Sequence, residues 1–117
     1  RSASSTIFAD RSYTYAYCSD TVYTPALAKI VEEADLLYHE ATYADDAADK
    51  ARARGHSTAS EAARIASLAH VRRLVIGHYS KAYNTEERHL SEARRIFPDT
   101  MAANEGMTIP IDCRHQL

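Results

Sequence analysis

The chain has 117 residues, of which 45% are hydrophobic and 26% charged, with a formal net charge of −2. These proportions suit one globular domain and argue against a disordered chain, and no run approaches the roughly 18 apolar residues of a membrane span. The charge gives no basic footprint of the kind a nucleic-acid-binding domain carries, and the polar, small-residue stretch from Arg1 to Asp10 has no signal-peptide pattern.

Tyr13, Tyr15 and Tyr17 alternate with Ser12, Thr14 and Ala16, which predicts a strand whose tyrosine face is buried in a core. Thr24-Pro25 reads as an N-cap and first helical position, and Leu27, Ile30, Val31 and Ala34 follow at amphipathic helical spacing. Leu36 to Tyr38 is a short apolar run suited to a buried strand. Asp45 to Arg54, with acids ahead of bases and Asp46 four residues from Lys50, predicts a short solvated helix. Thr58 and Glu61 have capping-box spacing ahead of a stripe of Ala62, Ile65, Ala66 and Ala69, and Leu74 to Ile76 is the next buried strand. Thr85 is placed to cap a last helix, with Leu90, Ala93 and Phe97 inward, His89 on the solvent face and Pro98 as the stop. Met101 to Ala103 and Met107 to Ile111 read as final strands. This alternation predicts an α/β fold, with no repeat or linker to mark a second domain. Cys18 and Cys113 lack metal-type spacing, and a reduced, cytoplasmic compartment is the simpler expectation.

Four polar residues stand where hydrophobic strands are expected to run out: Asp20, Glu40, His56 and His78. Strand ends at one edge of an α/β sheet converge in space, so the recurrence points to one shared site. Asp20 and His78 are of the types that ligate a borderline cation such as zinc, while Glu40 and His56 suit proton transfer beside it. A catalytic zinc takes about three protein ligands and a binuclear centre more, and no His-x-His or His-Glu-x-x-His spacing occurs to supply the rest. The chain carries half of a metal site.

These residues stand in motifs. Ser19-Asp20-Thr21, His39-Glu40-Ala41-Thr42 (HEAT), His56-Ser57-Thr58 (HST) and Gly77-His78-Tyr79-Ser80-Lys81-Ala82-Tyr83 resemble, in order and spacing, the carboxyl-terminal part of ribonuclease Z, a family of the metallo-β-lactamase superfamily, over roughly Tyr13 to Ile111. The resemblance implies the carboxyl-terminal half of an αββα sandwich: residues 1–117 as a single partial domain lacking its amino-terminal half. It implies an endoribonuclease that uses two zinc ions to cut the 3′ trailer from precursor tRNA and leave a 3′-hydroxyl. Asp20 bridges the metals on that expectation, His78 completes one coordination shell, and the catalytic pair is Glu40 and His56. Relatives carry Arg, which meets substrate phosphate, where this chain has Ala82. A first residue of Arg1 instead of Met fits a fragment, and the isolated chain is expected to be inactive. Its expected partners are precursor tRNA, the missing amino-terminal half and a second copy in a homodimer, with no membrane. Another hydrolase of the superfamily, such as an arylsulfatase or phosphodiesterase, and a non-catalytic interaction half are the alternatives.

Overall fold

The computed structural model describes residues 4–9 and 13–109. Five strands form one sheet in the order β1-β2-β3-β4-β5: β1 (Ser4–Ala9), β2 (Thr14–Ser19), β3 (Leu36–Glu40), β4 (Arg73–Gly77) and β5 (Thr100–Ala102). β1 runs antiparallel to β2, and β2 to β5 are parallel. Parallel neighbours need crossovers, supplied by α1 (Leu27–Ile30), by α2 (Ala48–Ala53) with α3 (Ala59–Ala69), and by α4 (Glu87–Ile96). Because the parallel strands follow one another in sequence order, right-handed crossovers put every connecting helix on the same face.

That face carries Ala16, Cys18, Leu37, Leu74 and Ile76, which close a core with Ala62, Ala63, Ile65, Ala66 and Ala69 of α3. The alanines of α3 bury a wider face than the predicted stripe, with Ala59 and Ala63 also covered, because α3 contacts the sheet, α1 and α4 together. Its start is as predicted: the Thr58 hydroxyl accepts from Glu61 N–H at 3.1 Å, and the Glu61 carboxylate accepts from Thr58 N–H at 2.9 Å.

Several expectations need correction. In β2 the tyrosines do not face the helices: Ala16 and Cys18 are the fully buried side chains, while Tyr13 and Tyr17 are 40% and 39% exposed. Tyr17 instead stacks on Tyr38 across the other face, with ring centroids 4.8 Å apart. α1 is one turn long, because the N–H of Glu33, itself left-handed at φ 58°, donates to the Ala69 carbonyl at 2.7 Å; Ile30 is exposed. His89 is fully buried, wedged edge-on between Tyr79 and Tyr83. Finally, β5 is a strand as predicted, but residues 107–109 are not; Pro110, Ile111 and Cys113 lie outside the described residues. Asp46 pairs with Arg88 at 3.5 Å and accepts from the Tyr83 hydroxyl at 2.7 Å, contacts across the fold that replace the predicted one to Lys50.

Gly77, the last residue of β4, has no room for a side chain: an added Cβ meets the Tyr38 hydroxyl at 2.5 Å and its ring at 3.0 Å. Gly77→Ala is therefore expected to destabilise the fold by about 1–3 kcal/mol, with partial recovery when Tyr38→Phe removes the oxygen; denaturant unfolding of the pair reads both effects. His39 and His89 are buried neutral, with burial lowering both pKa values from the ordinary 6.5. A lowered folded pKa means stability is full above pH 6.5 and lost as pH falls below it, since the unfolded chain then takes up protons the native state refuses. Unfolding free energy measured in chelator should fall by up to about 1.4 kcal/mol per pH unit for each histidine, and His39→Leu should flatten that slope.

Candidate metal centre

Asp20 follows β2, Glu40 ends β3 and His78 follows β4, whereas His56 stands not at a strand end, as expected, but in the turn between α2 and α3; the four segments meet at the carboxyl-terminal edge of the sheet. Glu40 is fully buried and its two oxygens are filled. Oε1 accepts from Thr21 N–H at 3.1 Å and His56 Nδ1–H at 2.7 Å. Oε2 accepts from Thr42 N–H at 3.1 Å, Ser57 N–H at 3.2 Å and the Thr42 hydroxyl at 2.7 Å. An unsatisfied carboxylate buried this way costs several kcal/mol, and here three backbone amides and two side chains meet it.

Asp20, His56 and His78 each offer a ligand atom within 4.8 Å of the others, a mixed oxygen and nitrogen set of the kind a divalent transition metal takes. Asp20 and His78 are the open members, whereas His56 Nδ1 is held by Glu40 and lies 3.9 Å from Asp20. The donor chemistry thus fits a metal at Asp20 and His78, with the remainder of the shell to come from outside these residues.

Both open residues have left-handed backbone, Asp20 at φ 51° and His78 at φ 64°. Such angles cost of order 1 kcal/mol or more for a residue with a side chain and collect at functional sites; Asp and His are among the types that tolerate them. His56 is led in by Gly55 at φ 77°, where glycine is the residue without that cost, and its N–H donates to the Ala51 carbonyl of α2 at 2.8 Å. Nδ1 is committed to Glu40, and His56 lines a cavity of about 270 Å³ together with Val22, Tyr23, Arg52 and Glu61.

Sequence reasoning missed two participants. Thr42 touches Glu40, His56 and His78 together, and His89 reaches the Thr42 carbonyl from behind with Nε2 at 3.5 Å. Thr42 sits within a motif already marked, so its position two residues after Glu40 is the signal; His89 offers none. Ala82 leaves no cation at its position, and its N–H donates to the Ser80 hydroxyl at 3.1 Å.

A family model described as a β-lactamase superfamily domain matches residues 1–79. Ribonuclease Z of Parabacteroides distasonis is 50% identical over 97 residues, covering 83% of this chain, and that of Porphyromonas gingivalis is 48% identical over the same length. The chain spans about a third (32%) of the length of these curated relatives. Among solved structures, the metallo-β-lactamase fold protein YhfI from Bacillus subtilis superposes with a TM-score of 0.81 at 27% identity, over 88% of this chain and 42% of that one. Human tRNase Z, short form, gives 0.66 at 34% identity, over 85% and 34%. A metallo-β-lactamase fold with a His and Asp donor cluster implies metal binding. The chain belongs to the β-lactamase superfamily domain family and, over the length it has, is homologous to ribonuclease Z.

Proposed function

We propose that these residues form one wall of a zinc-dependent endoribonuclease that removes the 3′ trailer from precursor tRNA and leaves a 3′-hydroxyl. The observation that carries this reading is the Glu40–His56 contact of 2.7 Å, held beside the Asp20 and His78 donors in a chain 50% identical to a ribonuclease Z. Human tRNase Z among the structural neighbours supports the same substrate class.

Asp20 and His78 would hold the zinc in this reading, with the Asp20 carboxylate supplying two oxygen donors. Zinc supplies Lewis-acid stabilisation of the phosphate charge and brings the attacking water's pKa toward neutrality. Glu40 fixes the orientation of the His56 ring through Nδ1–H. His56 Nε2 then delivers a proton to the 3′ oxygen of the tRNA as its bond to phosphorus breaks. Arg52, exposed beside His56 in the same cavity, meets substrate phosphate and takes the part for which Ala82 is unsuited.

The remaining ligands would come from an amino-terminal half that packs on the sheet face bearing Tyr15, Tyr17 and Tyr38, so that the isolated chain is inactive; a cytoplasmic homodimer is the state that the resemblance to ribonuclease Z implies for the assembled enzyme. No helix among the described residues is long and apolar enough to cross a membrane. Cleavage of a precursor tRNA at the trailer junction by the assembled enzyme tests the reading. Hydrolysis of a small phosphodiester or aryl sulfate without tRNA cleavage favours a different hydrolase of the superfamily.

In the assembled enzyme, His56→Ala should lower kcat by about 10² to 10⁴ with zinc content retained, since general acid–base groups contribute that much. Glu40→Ala would leave three backbone amides unpaired, so the cycle uses Glu40→Gln: the double variant should be no slower than the slower single, whereas additive losses would show two independent roles. Asp20 is half-exposed and Asn tolerates its left-handed backbone, so Asp20→Asn should abolish two-zinc binding while moving metal-free stability by no more than about 0.5 kcal/mol; a drop of several degrees in Tm under chelator would make Asp20 a structural turn residue instead.

A further inference from the structure

One hydroxyl joins the buried carboxylate to the exposed histidine. Thr42 Oγ1 lies 2.7 Å from Glu40 Oε2 and 3.0 Å from His78 Nδ1, and its residue is 6% exposed. A threonine hydroxyl has a single proton to give. Both Glu40 oxygens already receive backbone N–H groups, from Thr21 on Oε1 and from Thr42 and Ser57 on Oε2, so they face donors only. The Thr42 proton therefore goes to Oε2, and toward His78 the same oxygen can only accept. That fixes the proton of a neutral His78 on Nδ1 and leaves the lone pair on Nε2.

We propose that Thr42 is the positioning residue that sets the tautomer and ring orientation of His78, so that Nε2 is presented to the metal. The proposal rests on the reading of His78 as a zinc ligand. The backbone supports the same pairing: Ala41 N–H donates to the Gly77 carbonyl at 2.8 Å and Ser80 N–H donates to the Thr42 carbonyl at 2.9 Å, clamping the two segments on either side of His78. Two side chains meet the His78 ring: Thr42 holds Nδ1 by the hydrogen bond, and the His56 ring lies tilted against it with centroids 5.5 Å apart. Hydrogen-bonded partners of ligating histidines typically change metal affinity by about 10- to 100-fold when removed.

The assembled enzyme carrying Thr42→Val, which keeps the shape and loses the hydroxyl, is to be compared with Thr42→Ser, which keeps it. Zinc affinity is measured by competition with a chromogenic chelator, and the His78 tautomer by ¹⁵N NMR of the metal-free protein. The expected result is a zinc affinity weakened about tenfold or more in Thr42→Val and within about threefold of wild type in Thr42→Ser, with the Nδ1–H tautomer in wild type and its loss in Thr42→Val. Wild-type affinity and an unchanged tautomer in Thr42→Val overturn the proposal, as does equal damage in Thr42→Ser, which would assign the effect to packing. The wild-type spectrum alone decides if Thr42→Val does not fold: an Nε2–H tautomer at His78 overturns the proposal. A His78→Ala arm separates the two readings. If it keeps wild-type zinc affinity, His78 is not a ligand and the metal assignment fails, while the tautomer signal still reports whether Thr42 holds Nδ1.

Discussion

The carboxylate of Glu40 organises the molecule's functional edge. It has no exposed surface and accepts five hydrogen bonds, from Thr21, His56, Ser57 and twice from Thr42. Each such bond contributes only about 0.5–1.5 kcal/mol net, more where a charge is involved, but leaving any donor unmet at a buried carboxylate costs as much again. The donors come from the end of β2, the end of β3 and the turn before α3, so one side chain fixes the mutual positions of three segments distant in sequence. Thr42 extends this to His78 after β4.

The sheet makes this convergence possible. Consecutive parallel strands end on one edge and send every crossover helix to one face, where small alanine side chains let α3 pack close to the sheet and to α4. The helices leave Tyr15, Tyr17 and Tyr38 on the other face. In the proposed assembly that is the face a second sheet covers, which explains why aromatic side chains are gathered there in a chain whose own core is built from Ala, Leu and Ile.

Local signals were legible in the sequence and relational ones were not. The capping box of Thr58 and Glu61 is complete within four residues, so spacing alone located the start of α3. Asp20, Glu40 and His78 were legible because each closes an apolar run that forms a strand, whereas His56 follows a helix and a glycine turn. The face of β2 was not: a period of two marks two faces, and only the helices decide which is covered, so Ala16 and Cys18 were inside instead of the tyrosines. Likewise α1 is cut short by a hydrogen bond from Glu33 to Ala69, and His89 is buried by rings of Tyr79 and Tyr83, partners that periodicity within one helix does not reveal. The left-handed angles of Asp20 and His78 have only a weak sequence signature, since Gly is the usual marker and Asp and His adopt such angles at few of their positions.

A division of labour follows from burial. The groups that shape the site, Glu40, Thr42 and Ser57, are buried and bound to one another or to backbone, whereas Asp20 and His78 stand open at strained strand ends. The framework is held by its own hydrogen bonds, which link Glu40 to Thr21, Thr42, His56 and Ser57. Metal binding then has less ordering entropy to overcome, because the donors it meets are already oriented, and strain held in the backbone of Asp20 and His78 is sustained by the buried network behind them. In the proposed enzyme, exposure of these two residues would leave room for the further ligands a zinc centre requires, and the buried network would serve as a rigid template for the rest of the coordination shell.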